Sequence, residues 1–275
     1  MAQPTLRPIE LVVTDVDGTL VGSDRTLAAS TIKAAARLRA AGCRLALVSA
    51  RATAGLDVLL GPLGIDTPRA GFNGGVILHP DGSVVREFVI DQAAAAEAVR
   101  LLEAAGLDVW VFASNAWYLT NPDAHYIASE QRSILMDWRT VDTLAPRLSD
   151  VHKIMGSSRD FALVEQTAQL LHDALGDRAN VQRSQHYYID VTPPEADKGR
   201  ALEVIAMALG IELAAVAAIG DMPNDLAMFR RAGLSIAMGN ALPEVKQQAG
   251  HVVADNDSGG WSEAIALILD LRSRQ

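Results

Sequence analysis

The chain has 275 residues, 49% of them hydrophobic and 21% charged, and a formal net charge of -9. That is enough apolar material for a full core, in one large domain or two modest ones, and the acidic excess argues against binding nucleic acid or anionic membranes through charge. The single cysteine, Cys43, excludes an internal disulfide framework and thiolate-cluster metal sites, and the scattered histidines make a zinc site unexpected.

The first segment alternates strand and helix signals. An apolar run near 9–14 reads as a short buried strand and leads into the acidic turn Asp15-Val16-Asp17-Gly18-Thr19. A helix is expected over 30–41, with Ile32, Ala35, Leu38 and Ala41 on one face and Gly42 at its end. A strand follows over 44–48 and stops at Ser49, and a second helix is expected near 53–61. Residues 69–72 lead into Asn73-Gly74-Gly75, and His79-Pro80-Asp81-Gly82 reads as a hairpin tip.

Between about 85 and 191 lies a separate pattern. Strand signals fall at 84–90, 107–113, 151–156, 181–184 and 187–191, with helices near 93–105 and 161–175. Its aromatics, Trp110, Trp117, Tyr118, Trp138, Tyr187 and Tyr188, sit at strand spacing and are expected mostly in a sheet core. His125, His152 and His186 read as surface or core histidines. Cys43 should pack at a strand start as a small hydrophobe.

The last third returns to the first grammar. A helix is expected over 198–209, stopped by Gly210, then a strand over 214–219 ending at Gly220-Asp221. A short helix over 225–231, a strand over 234–238 and an apolar helix over 262–271 follow. Alternating strands and helices predict right-handed crossovers and a doubly wound, mostly parallel Rossmann-like α/β sheet. One unit is expected in 1–84 and 192–275, with a second α+β unit inserted over 85–191. The sequence shows neither a basic-then-apolar leader nor an apolar run of roughly 18 residues, so a cytoplasmic setting without membrane contact is expected.

The polar signals fall where apolar strands end or the next helix begins: Asp15 and Asp17, Ser49, Lys198, and Asp221 with Asn224 and Asp225. In a doubly wound sheet the carboxyl ends of the strands share one edge, where ligands bind, so residues far apart in sequence converge there. Paired carboxylates suit covalent phosphoryl transfer, one attacking phosphorus and one moving the leaving group's proton. Oxygen-only ligands favour Mg²⁺. Lys198 in a first helical turn opposes the helix dipole, which marks it as functional. Asp225 also reads as a helix cap, Asn73 as a turn residue, and Arg51 as either a phosphate contact or an exposed helix start.

The ordered set Asp15-Val16-Asp17-Gly18-Thr19, Ser49-Ala50-Arg51, Asp197-Lys198-Gly199 and Gly220-Asp221-Met222-Pro223-Asn224-Asp225 resembles the haloacid dehalogenase superfamily. Within it the chain is similar to the Cof-type (subfamily IIB) metabolite phosphatases with a large C2-type cap; Asn73-Gly74 and Met238-Gly239-Asn240 match further signatures. The resemblance implies that Asp15 is a nucleophile forming an aspartyl phosphate, that Asp17 is the acid and base, that Ser49 orients the phosphoryl group and that Lys198 neutralises it. It implies Mg²⁺ held by Asp15, the Asp17 carbonyl and Asp221, with Asp225 supporting the metal shell. Arg51, Asn73, Gly74 and Asn224 are expected to meet substrate.

The activity implied is Mg²⁺-dependent hydrolysis of small phosphorylated metabolites, such as sugar phosphates, flavin mononucleotide or pyridoxal phosphate, by a monomer or homodimer. A sugar phosphomutase or phosphotransferase would share the motifs. A phospho-aspartate signalling receiver is opposed by Asp17 and by the long insert, and a metabolite-binding protein by the full set of acids. Two positions depart from the family: Ala50 stands where glycine is common, and Trp261 where a small aliphatic residue is usual.

Overall fold

The computed structural model describes residues 8–113 and 116–273. The chain forms two compact units, one made of the residues up to Arg86 together with those from Asp197 onward, the other of Glu87–Ala196.

The first unit is built on a parallel sheet. Its strand order is His251–Val252, Leu234–Ala237, Val216–Gly220, Leu11–Thr14, Arg44–Leu47. Leu11–Thr14 is an interior strand buried along its whole length, which is why it reads as an uninterrupted apolar run rather than an alternation. Its two faces feed two cores. Val12, with Ala217 and Ile219, packs against Ala34, Ala35 and Leu38, Leu56 and Leu59, and Ile265 and Ile268. Leu11 and Val13, with Val216 and Ala218, meet Leu202, Ile205, Met228 and Val245 on the other side. Burial of each large aliphatic side chain stabilises the fold by roughly 1.5–3 kcal/mol.

The register fixes the working edge. Thr14 lies opposite both Ile219 and Leu47, and Ile219 lies opposite Ile236. The chain therefore leaves several strands at one level: at Asp15, at Val48-Ser49, at Asp221 and at Met238. Val48 makes one parallel bridge to Ala70. That leads to Arg69–Gly71, which pairs antiparallel with Val76–Leu78.

The second unit is an antiparallel sheet with one parallel edge. Its order is Asn180–Gln185, Tyr188–Thr192, Val151–Ser157, Asp108–Ala113, Ala116–Leu119, Trp138–Thr140, the last pair parallel. Val109, Val111, Ile154, Ile189 and Val191 face Gln92–Ala104 and Phe161–Leu175 in one apolar core. Alternation sends Trp110, Phe112, Trp117 and Tyr188 to the opposite face. Their rings touch in sequence: Trp110 meets Trp117 and Tyr188 edge-on at 5.3 and 5.6 Å, and Phe112 stacks on Trp117 at 5.7 Å. A buried ion pair, Lys153 with Asp190 at 2.9 Å, completes that face.

Several elements differ from expectation. The Ala29–Ala40 helix buries Thr31, Ala34, Ala35 and Leu38, while Ile32 and Ala41 face solvent; the apolar stripe is rotated by about one position. The helix expected to stop at 61 runs through Pro62 to Leu63 and ends at Gly64 in the left-handed region. The strand expected over 84–90 is ordered as strand only at Val84–Glu87. Ala116–Leu119, Ile127–Ile134 and Trp138–Thr140 are elements that the sequence reading did not separate. In place of one short helix over 225–231, a 3-10 turn, Pro223–Asp225, is followed by a four-residue helix, Leu226–Phe229. Trp110, Trp117, Tyr118 and Tyr188 are buried, whereas Trp138 and Tyr187 are half-buried. Cys43 is buried at its strand start, and burial pushes its thiol up to about 11, so it packs as an inert apolar group.

Candidate active site

Asp15 follows directly from the strand Leu11–Thr14, its backbone N–H still donating to the Ile219 carbonyl at 2.9 Å. The preceding residue is fixed from behind. The Trp261 indole N–H donates to Thr14 Oγ1 at 3.1 Å, and that hydroxyl donates to the Asp15 carbonyl at 2.8 Å. Trp261 is 1% exposed. Its large side chain, without a role in the sequence reading, thus anchors the start of the acidic loop.

Lys198 Nζ sits between two carboxylates, 2.6 Å from Asp15 Oδ1 and 2.7 Å from Asp225 Oδ1. All three groups are buried. The lysine occupies the first turn of Lys198–Ala208, where its charge opposes the helix dipole. Burial also works against its charge, but Asp15 and Asp225 outweigh both effects and hold its pKa above the usual lysine range. Asp197 caps this helix, its Oδ1 accepting from the Arg200 N–H at 2.7 Å.

Asp225 uses its other oxygen on the loop ahead of it. Oδ2 accepts from the backbone N–H of Asp221 and of Met222, both at 2.9 Å. Asp221 in turn accepts from Thr19 Oγ1 at 2.7 Å and from Asn240 Nδ2 at 3.2 Å. Asn240 also donates to the Gly18 carbonyl at 2.8 Å, tying the first and last loops of the edge together. Gly18 is required at its position. Its φ is +76°, and a Cβ there would lie 2.4 Å from Asp221 Oδ2.

Carboxylate oxygens of Asp15, Asp221 and Asp225 lie within 4.8 Å of one another. Three acids against one lysine leave an excess of buried negative charge. Burial, with the neighbouring acids adding to it, raises Asp15 well above the ordinary carboxylate range and pushes Asp221 up to about 6. A divalent cation among these oxygens would relieve that repulsion, and the donor set of hard oxygens fits such an ion. Asp225 already accepts three hydrogen bonds, so it is better suited to holding Lys198 and the 221–222 loop than to giving the ion a further bond.

The remaining expected residues lie on the same unit. Ser49 is buried, its Oγ accepting from the Arg51 N–H at 3.1 Å. Ala50 is not among the described residues with positive φ, so replacing the common glycine imposes no strain there. Arg51, expected to meet substrate, places its guanidinium on Asp17, at 2.7 Å through Nε and 2.6 Å through Nη2. Asn73 adopts the left-handed region (φ 57°), and its Oδ1 accepts from Asn224 Nδ2 at 3.1 Å. Asn224 Oδ1 is buried with no hydrogen-bond partner among the described residues, as an atom awaiting a ligand or water would be. Gly74 lies against the Asp197 carbonyl, at the base of the lysine helix. Thr19, Asn240 and Trp261 are the contributors that sequence reasoning left without a role. Thr19 and Asn240 were inside recognised motifs, but nothing local told which atom they would meet.

A family model for haloacid dehalogenase-like hydrolases matches residues 12–265 of the chain. The chain belongs to the haloacid dehalogenase-like hydrolases. Curated relatives agree over nearly full length. The pyridoxal phosphate phosphatase YbhA of Escherichia coli is 27% identical, covering 93% of this chain and 97% of its own. The 5-amino-6-(5-phospho-D-ribitylamino)uracil phosphatase YwtE of Bacillus subtilis is also 27% identical, over 95% and 98%. Among solved structures, a haloacid dehalogenase-like hydrolase from Bacteroides thetaiotaomicron superposes with a TM-score of 0.87 at 28% identity, covering 94% of this chain and 99% of that one. The α/β core with its insert is therefore the fold of this hydrolase family. No helix among the described residues is long and apolar enough to cross a membrane.

Proposed function

We propose that this hydrolase is a Mg²⁺-dependent phosphatase of small phosphorylated metabolites, acting through an aspartyl phosphate on Asp15. The observation that carries the reading is the buried Asp15–Lys198–Asp225 bridge beside Asp221. A structural ion pair has no need of a third buried acid, whereas in-line transfer of a charged phosphoryl group needs a nucleophile, a cation and a metal site together.

In the first step an Asp15 oxygen bonds to phosphorus as the ester P–O bond breaks, and the leaving oxygen takes a proton from Asp17. In the second, a water oxygen bonds to phosphorus while its proton passes to Asp17, and the Asp15 carboxylate departs from inorganic phosphate. Two N–H groups of Lys198 Nζ go to Asp15 and Asp225, leaving the third for a phosphoryl oxygen. Ser49 donates its hydroxyl to another, and Asn224 Oδ1 accepts from a bound water. Asp15, the Asp17 carbonyl and Asp221 would hold Mg²⁺, which as a Lewis acid would neutralise phosphoryl charge. Substrate choice is assigned to residues 87–196. The substrates named for the two curated relatives, a pyridine phosphate and a pyrimidine ribityl phosphate, make phosphorylated heterocycles the first compounds to try.

The test is phosphate release from a panel of sugar phosphates, nucleotides and phosphorylated cofactors, with Mg²⁺, with chelator, and with Asp15→Asn. Release that requires metal and is lost in the variant by at least ~10³-fold supports the reading. Release that survives Asp15→Asn overturns it.

A further inference from the structure

The acid/base residue Asp17 is unusually placed for a group that must deliver a proton accurately. Its side chain is 46% exposed. A half-exposed carboxylate on a loop has several rotamers open to it, and proton transfer to a leaving group tolerates little misplacement.

The structure assigns the task of holding it to Arg51: we propose that Arg51 is a positioning residue for Asp17 and not a ligand of the substrate phosphate. This rests on the reading of Asp17 as acid and base. Arg51 grips Asp17 in a two-pronged pair, Nε on Oδ2 at 2.7 Å and Nη2 on Oδ1 at 2.6 Å, which fixes the plane of the carboxylate as well as its location. Its third nitrogen, Nη1, faces the Gly55 carbonyl at 3.5 Å. Each guanidinium nitrogen therefore has a partner within the protein.

The arm that carries this fork is itself immobilised. Arg51 is 9% exposed, against 46% for Asp17. Its backbone N–H donates to Ser49 Oγ at 3.1 Å, and its carbonyl accepts from the Phe72 N–H at 2.8 Å. The Ser49-to-Arg51 segment thus carries two functions side by side: a hydroxyl for the phosphoryl group and a buried guanidinium that sets the neighbouring acid. A phosphate-binding arginine would keep its fork open toward the substrate; this one has closed it on a carboxylate.

Leaving-group dependence separates the two roles. An alkyl phosphate needs a proton on its departing oxygen, whereas a nitrophenolate departs without one. Arg51→Ala should lower kcat/KM for an alkyl phosphate by ~10²-fold, within the range of general acid catalysis. The rapid burst of nitrophenol from p-nitrophenyl phosphate should fall by less than ~5-fold, with aspartyl phosphate accumulating because the second step also needs Asp17. Arg51→Lys, which keeps one of the two contacts, should recover part of the alkyl-phosphate activity and guards against a folding defect in the alanine variant. Inhibition by inorganic phosphate should be unchanged in both.

Asp17→Asn is the reference. If it shows the leaving-group dependence and Arg51→Ala adds nothing to it in the double variant, the positioning role holds. Equal losses for alkyl and aryl substrates in Arg51→Ala, with weakened phosphate inhibition, make Arg51 a phosphate ligand and overturn the inference. If Asp17→Asn itself shows no leaving-group dependence, it is the acid/base reading that fails.

Discussion

At the residue scale the site is a set of shared atoms more than a set of separate side chains. Thr14 illustrates this, since one hydroxyl takes the Trp261 N–H and serves the Asp15 carbonyl. Thr14→Val keeps shape but leaves a buried indole N–H unpaired, and should cost about 1–3 kcal/mol in urea unfolding. Trp261→Phe should be strongly non-additive with it, because the two variants remove the same bond. The acids and the lysine were legible in the sequence, because Asp15, Asp17, Lys198 and Asp221 break local rules where apolar strands and helices meet the sheet edge. The partners of Arg51 and Trp261 were not. A guanidinium two residues after Ser49 reads identically whether it meets phosphate or Asp17, and an indole 247 residues from its acceptor carries no local sign of it.

At the scale of elements, the helix that begins at Lys198 has to start in one place. Asp197 sets that start by accepting from the Arg200 N–H, and its carboxylate also lies 3.2 Å from Arg231 Nη1. Asp197→Ala should destabilise the protein by about 1 kcal/mol in thermal or urea unfolding, and Asp197→Asn should restore most of it, since asparagine caps as well as aspartate. A fall in kcat that follows the same order would show that the cap also sets Lys198. Elements with a clear period were read correctly from sequence, as with Phe161–Leu175, whose cap Asp160 and apolar spacing agree. Those that failed are short and owe their form to neighbours. Trp138–Thr140 has no alternation of its own and becomes a strand only by pairing with Ala116–Leu119. The rotation of the Ala29–Ala40 stripe has a similar origin: alanines fit both faces, so the sheet decides which is covered.

At the scale of the whole molecule, the buried acids make stability depend on pH in an unusual direction. Asp221 is pushed up to about 6 by burial, so the metal-free folded state holds a proton that the unfolded chain releases near its ordinary value of 3.8. This contribution is fully present below the unfolded pKa and is lost as pH rises through about 6. Between about pH 4.5 and pH 7 the metal-free protein should lose on the order of 2 kcal/mol more stability than Asp221→Asn, which carries no such proton. Saturating Mg²⁺ should oppose the trend, because it binds the deprotonated site and its stabilising increment grows with pH. Paired chemical unfolding curves of both proteins, with and without the ion, measure this directly. The doubly wound parallel sheet was legible from the order of strands and helices. What the composition could not supply was which far segment flanks which strand.

The interior strand Leu11–Thr14 has one neighbour, Arg44–Leu47, close by in the chain, whereas the other, Val216–Gly220, comes only after the whole insert. Every described strand of the second unit lies between Asp108 and Thr192 and pairs within that unit. A pairing that spans the insert carries a larger loop-closure cost than the pairings described inside it. The described strands of the insert find their partners among one another, while Leu11–Thr14 keeps an open edge until Val216–Gly220 docks on it. A chain cut before Asp221 would carry Asp15 and every described strand of the insert, yet lack two of the three clustered carboxylates, Asp221 and Asp225.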